Sequence, residues 1–193
     1  MLFNALLCRA ERDLADIASV LGEDPSPFER RAQATARAMN GKFWDEEHRT
    51  YLDFDLVAGR PIRVYGASNL VPLYAGVPDE GRARRMVETL EGPNFGLKGN
   101  AMVPVPSHDR YGFAFSPTQY WRGPAWINID WFLMKGLESY GYEEHAAILQ
   151  KTIVSLCKDE GFYEYFDPLT GMGHGSDHFS WSAALFLDVT LNE

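Results

Sequence analysis

The chain has 193 residues, enough for one domain that buries roughly 70% of its unfolded surface around a single core. A net charge of −9 excludes a nucleic-acid or anionic-membrane surface, since no basic face is available to release counterions from phosphates. Only two cysteines, Cys8 and Cys157, are present, both inside apolar helical patterns, which excludes a disulfide framework and predicts buried thiols in a reducing compartment.

In chain order, Phe3, Leu6, Leu7, Ala10, Leu14, Ile17 and Leu21 recur at helical spacing until Gly22, a helix stop, and predict a first amphipathic helix. Arg9, Glu11, Arg12 and Asp13 break this stretch before a signal-peptide core can form, and no run approaches a membrane span, so a soluble cytoplasmic protein is expected. A second helix begins around Pro27 and carries Phe28, Ala32, Ala36 and Met39 up to Asn40-Gly41. From Tyr51 to Val64 the pattern alternates, Tyr51, Asp53 and Asp55 against Leu52, Phe54 and Leu56, with Gly59 in a turn, which predicts a small hairpin inserted between helices. Further helices are predicted over 69–75, 79–90, 124–140, 142–158 and 179–191, neighbours being separated by short signals such as Gly76-Val77-Pro78 or Gly141. Arg82, Arg84 and Arg85, flanked by Glu80 and Glu88, read as a solvated helix face. Between residues 90 and 119 lies a Gly/Pro-rich stretch too long for a connector, of the kind that shapes a site. Seven helices in hairpin pairs fit either a closed bundle or an arc of a larger toroid.

Three clusters carry candidate chemistry. Tyr120-Trp121-Arg122-Gly123-Pro124-Ala125-Trp126 sets three large aromatics and an arginine around the start of a helix; sugar rings have apolar C–H faces and polar rims, so flat aromatics beside hydrogen-bonding groups suit a saccharide pocket. Trp121 and Trp126 are five apart and cannot share one inward stripe unless the first precedes the helix. Gly161-Phe162-Tyr163-Glu164-Tyr165-Phe166-Asp167-Pro168 sets Glu164 among four aromatics, where a carboxylate is poorly solvated, a frequent state at active sites. Asp167, before Pro168 and Gly171, reads instead as a turn cap. His178-Phe179-Ser180-Trp181-Ser182 starts a helix with Asp177 or Ser180 as its cap, while Phe179 and Trp181 line the cleft. His174, His178 and Asp177 sit in a glycine-rich loop rather than on a helix, so no metal is expected there. No Walker loop, dinucleotide fingerprint or G-x-S-x-G elbow appears, and no cofactor is expected.

Taken together, Tyr120 to Trp126, Gly161 to Pro168 and Phe179-Ser180-Trp181, with Leu70-Val71-Pro72-Leu73-Tyr74-Ala75-Gly76-Val77-Pro78, resemble glycoside hydrolase family 63, and within it the bacterial glucosylglycerate and mannosylglycerate hydrolases. The resemblance implies an all-α fold, the C-terminal portion of an (α/α)6 toroid built from helical hairpins with a small β-hairpin insertion, forming one domain over residues 1–193. It further implies an inverting α-glycoside hydrolase, in which one carboxylic acid protonates the glycosidic oxygen while a carboxylate activates water from the opposite face. Glu164 falls on the family's general base. Tyr120, Trp121 and Trp126 fall on its sugar-binding positions and Arg122 is carried with them, while Tyr165 and Trp181 are candidate substrate-binding residues beside them. The family's general acid, an Asp, has no counterpart motif here, and about seven of twelve helices are present. The expected partners are therefore a small saccharide or glycoside and a second chain or N-terminal half that completes the barrel. Two other readings stay open: a non-catalytic saccharide-binding or assembly module, and an isomerase using His174 and His178.

Overall fold

A computed structural model describes residues 1–99 and 101–191. Among the described residues six α-helices dominate: α1 (Leu2–Val20), α2 (Ser26–Lys42), α3 (Glu80–Glu91), α4 (Ile127–Ser139), α5 (Glu143–Asp159) and α6 (Ser180–Leu191). α1 packs on α2, α4 on α5, and α6 on both α4 and α5, so the expected helical hairpins are present. Their ends follow local chemistry. Gly22 ends α1 at φ +74°, a backbone that L side chains rarely adopt. Pro27 sits in the first turn of α2, where its missing N–H costs nothing. Asp79 caps α3 by accepting the Arg82 N–H at 2.8 Å. α2 runs through Gly41 to Lys42, past the predicted stop.

The segment predicted as a helix over 69–75 is instead two 3-10 turns, Ala67–Asn69 and Val71–Leu73. Pro72 has no N–H to offer the carbonyl four residues back, so an α-helical ladder cannot run through it. These turns nest against α4 at Gly136, where an added Cβ would stand 2.7 Å from the Tyr74 nitrogen.

Three two-stranded antiparallel sheets complete the fold of the described residues. The predicted hairpin is β3 (Asp53–Asp55) with β4 (Arg60–Ile62), registered as Asp53 opposite Ile62 and Asp55 opposite Arg60. The Asp55 carboxylate accepts the Val57 and Ala58 N–H groups at 2.9 Å, and Gly59 turns at φ +66°. Leu56, read as part of the strand, lies exposed in this turn. Two hairpins escaped the sequence reading: β1 (Trp44–Asp45) with β2 (Thr50–Tyr51), and β5 (Tyr165–Phe166) with β6 (Gly173–His174). Arg82 and Arg85, expected on a solvated face, lie over the Trp44 ring with guanidinium carbons 5.3 and 5.6 Å from its centroid.

Cys8 and Cys157 are free and buried, and burial pushes the Cys157 thiol up to about 11. Among the described residues no helix is long and apolar enough to cross a membrane.

Asp130 is the outlier of the core. It is 0% exposed on α4, and neither carboxylate oxygen has a hydrogen-bond partner among the described residues. Burial holds its pKa well above the usual carboxylate range. The folded chain therefore keeps a proton that the unfolded chain gives up. This contribution to stability is fully present below the ordinary carboxylate range and is lost as pH rises from there through the raised value of the folded state. Asp130→Asn, which needs no proton to stay neutral, is expected to raise stability at neutral pH by about 1.4 kcal/mol for each pH unit over which the parent loses this contribution. Melting curves across acidic and neutral pH check this: the gain should shrink on acidification.

Candidate active site

The long loop between α3 and α4 folds back on the chain rather than extending from it. Val105 donates to the Phe95 carbonyl at 2.8 Å, Ser107 to Pro124 at 2.9 Å, Asp109 to Tyr65 at 2.9 Å and Ser116 to Arg122 at 2.7 Å. The decisive contact is a reciprocal pair between Ala125 and Phe166, with N–H to O distances of 2.8 and 2.9 Å. This pairing explains why α4 begins at Ile127 and not at Pro124: Ala125 is used as a strand residue before the helix can start. Both Trp121 and Trp126 therefore precede the helix. The pairing also sets Tyr120, Trp121 and Trp126 against the segment carrying Glu164 and Tyr165.

The aromatic side chains then form one layered group. Trp121 and Trp126 stack face to face, 3.8 Å apart and 4° from parallel. Tyr165 lies 5.0 Å from Trp126, and Tyr120 stands edge-on to Trp126 and Tyr165 at 5.0 and 5.7 Å. Trp181 meets Trp126 at 5.8 Å and Phe179 meets Trp181 at 5.0 Å, so the start of α6 closes the group. Exposure divides it. Tyr120 and Trp121 are 53% and 40% exposed, whereas Trp126 is 1% exposed, with its indole N–H donated to the Tyr120 carbonyl at 3.0 Å. Trp126 is thus the floor beneath Trp121 and Tyr165. Trp121 also borders a cavity of about 290 Å³ shared with Met1, Phe3, Asp53, Ser68 and Ser107.

Glu164 is half-buried beside this group. Its backbone N–H donates to the Ser176 carbonyl at 2.9 Å, and the Ser176 N–H returns to Oε2 at 3.4 Å. The Tyr120 hydroxyl lies close enough to the same carboxylate to feel its charge. Desolvation, and after it the Glu164 charge, hold that phenol above its usual range. The aromatics flanking Glu164 in sequence do not enclose it: Phe166 is fully buried in the core, and the carboxylate keeps polar donors. Tyr120 itself sits at φ +42°, rare for a bulky side chain and a kind of backbone strain that concentrates at functional sites.

Other site residues occupy different positions. Arg122 is engaged within its own loop, donating to the Ala114 carbonyl at 3.1 Å and to Gln119 Oε1 at 2.8 Å. Asp167 caps its turn through the Leu169 N–H at 2.8 Å. His174 lies parallel to Tyr165 at 6.2 Å. Three features were missed from sequence: Ser176, Gly175 and Ser182. A Cβ on Gly175 would stand 2.7 Å from Glu164 Oε2, so the backbone passes there only because it is glycine. The buried Ser182 hydroxyl donates to the Tyr163 carbonyl at 2.7 Å and ties α6 to the Glu164 segment. The signal for the β5–β6 hairpin was present in Asp167-Pro168 and Gly171, a turn flanked by residues that pair. Among the described residues, the group that could approach a metal is Asp45, Glu47 and His48, away from this cluster.

A family model for the mannosylglycerate hydrolase MGH1-like glycoside hydrolase domain matches residues 1–182. The chain belongs to this MGH1-like glycoside hydrolase family. It is 62% identical over 191 residues to a mannosylglycerate hydrolase of Rubrobacter radiotolerans, covering 99% of this chain and 43% of that relative. The crystal structure of the family 63 mannosylglycerate hydrolase from Thermus thermophilus, in complex with Tris and D-glycerate, superposes with a TM-score of 0.89 at 43% identity, covering 96% of this chain and 44% of that one. The neutral trehalase Nth1 of Saccharomyces cerevisiae, at 18% identity and a TM-score of 0.73, shares the fold, over 98% of this chain and 37% of its own. This MGH1-like chain therefore spans less than half the length of these relatives.

Proposed function

We propose that this chain supplies the general-base half of an inverting hydrolase acting on a small α-linked glycerate glycoside, with Glu164 as the base. The observation that carries this reading is the Ala125–Phe166 pairing, which sets the Glu164 carboxylate against the Tyr120 hydroxyl and beside an open tryptophan face. In the proposed reaction a sugar stacks on Trp121 with Tyr165 and Trp181 at its margin, while Trp126 and Arg122 brace the platform and its loop. Glu164 takes the proton of a water attacking the anomeric carbon from the face opposite the leaving group. The Tyr120 hydroxyl, close to the same carboxylate, helps orient it toward the water.

The acid that protonates the leaving oxygen is proposed to come from the rest of an (α/α)6 toroid, of which this chain forms the C-terminal part. The state of α1 supports that: it buries Ala5, Cys8, Ala15 and Ala18, yet leaves Phe3 84% exposed and Leu7, Leu14 and Ile17 largely so. An apolar face of that extent marks a surface that is covered by something else.

The test is complementation. The chain is mixed with the portion of the Rubrobacter radiotolerans enzyme that it does not match, and hydrolysis of mannosylglycerate is followed. The mixture is expected to turn over substrate where neither part does so by itself. A stable complex with no turnover would count against the catalytic reading and favour a saccharide-binding module.

A further inference from the structure

Away from the aromatic group lies a second cavity, of about 260 Å³, walled by Glu47, His48, Tyr65, Asn69, Glu88 and Asp109 among others; none of Tyr120, Trp121, Glu164, Tyr165 or Trp181 lines it. Its size falls just below the roughly 300 Å³ at which drug-sized pockets begin, which limits an occupant to about a monosaccharide. The chemistry of its wall is specific. Asn69 is 2% exposed, and its side-chain oxygen accepts the Gly66 N–H at 2.8 Å, so the orientation of the amide is fixed. The amide nitrogen has no partner among the described residues. A buried donor left unpaired calls for an acceptor.

The rest of the wall offers acceptors and a flat face. Glu88 is paired with Arg49 at 2.8 Å and Glu47 with Arg63 at 3.0 Å, so two of the three carboxylates are already neutralised. The Tyr65 and His48 rings stack 3.9 Å apart. A cation fits poorly here. Asp45 is committed to the His48 N–H and to Nδ1, both at 2.9 Å, the Tyr65 hydroxyl lies 2.6 Å from the same Nδ1, and the unpaired Asn69 donor would oppose a positive charge. An anion would face the Asp109 carboxylate, while the Arg49 guanidinium in the wall is already held by Glu88. A hydroxyl group is both donor and acceptor, so a hydroxyl-rich ligand meets Asn69 and the carboxylates together.

We propose that this cavity is a second binding site, for a neutral polyhydroxylated molecule of monosaccharide size, separate from the Glu164 cluster. The site stands whether or not the chain takes part in hydrolysis, and its test needs no turnover. Amide correlation spectra of the full chain are recorded during titration with D-mannose, and in parallel with D-glycerate and with calcium chloride. Saturable shifts are expected at the Asn69 side-chain amide, Tyr65 and His48 with mannose, and not with the other two. Asn69→Asp keeps the oxygen that Gly66 needs and removes the donor. It is expected to weaken mannose binding at these residues about tenfold, the value of one hydrogen bond. Tyr65→Ala, which removes the stacked face, should weaken it as well and serves if the first variant does not fold. Trp121→Ala should leave it unchanged. Shifts confined to the Trp121 cluster, the same shifts produced by calcium, or undiminished affinity in both cavity variants would overturn the proposal.

Discussion

Glu164→Gln is expected to lower turnover of the complemented assembly by about 10²–10⁴-fold, the usual worth of a positioned general base, with substrate affinity nearly unchanged. Glutamine keeps the length of the side chain and an oxygen that still accepts from the Ser176 N–H. It loses only the capacity to take a proton. A fall in kcat at constant KM therefore separates proton transfer from positioning. Glu164→Ala would mix the two, because it also removes the acceptor of the Ser176 N–H. Steady-state kinetics of the glutamine variant check the point, and turnover equal to that of the unaltered assembly would place the base elsewhere.

The second large effect is expected at Gly123, where the reason is backbone geometry rather than chemistry. A Cβ there would stand 2.3 Å from the Ser116 carbonyl oxygen and 2.7 Å from its carbon, both main-chain atoms that have no rotamer to move through. The Gly123 N–H also donates to the Ser107 hydroxyl at 3.1 Å, so the residue is held from two sides. Gly123→Ala must push the loop from Ser116 to Arg122 away from the segment leading to α4. Overpacking of this kind costs about 3 kcal/mol, the upper end of its usual range, equivalent to roughly 6–12 °C in melting temperature for a chain of this size. Because the displaced loop carries Tyr120 and Trp121, tryptophan fluorescence should change along with the melting curve. A variant that melts within a degree or two of the parent would show that the close approach is absent in solution.

The contrast between these two residues marks what was legible in the sequence. Helical elements were legible because an amphipathic stripe and a Gly or Pro stop are local properties: α1 ends at Gly22 and α3 begins at the Asp79 cap with no help from distant contacts. The segment at 69–75 failed for a local reason that was also present, Pro72, whose missing N–H breaks the ladder that the apolar spacing suggested. The late start of α4 was not legible, because it depends on Ala125 finding Phe166 some forty positions away. No window of sequence contains that pairing.

The candidate site divides in the same way. Aromatic residues beside a carboxylate stand out by type, and Tyr120, Trp121, Tyr165, Trp181 and Glu164 do come together. Which of them faces outward is a matter of packing order. Trp126 and Trp121 look equivalent in sequence, yet one is buried under the other, and Arg122 is spent on its own loop. Asp130 was passed over altogether, since a single acid on an apolar stripe gives no sign of whether it turns inward. The cavity at Asn69 was invisible for the same reason as the late start of α4: its walls come from the turn between β1 and β2, the segment from Tyr65 to Asn69, α3 and the long loop together.

The central claim, that Glu164 acts as a base on water rather than as a nucleophile, is tested most directly by the configuration of the first sugar released. Proton NMR of the complemented assembly, recorded before mutarotation, resolves the two anomers of the product. The account predicts that an α-linked substrate yields the β anomer first. Initial release of the α anomer would mean retention through a covalent intermediate, and would contradict it.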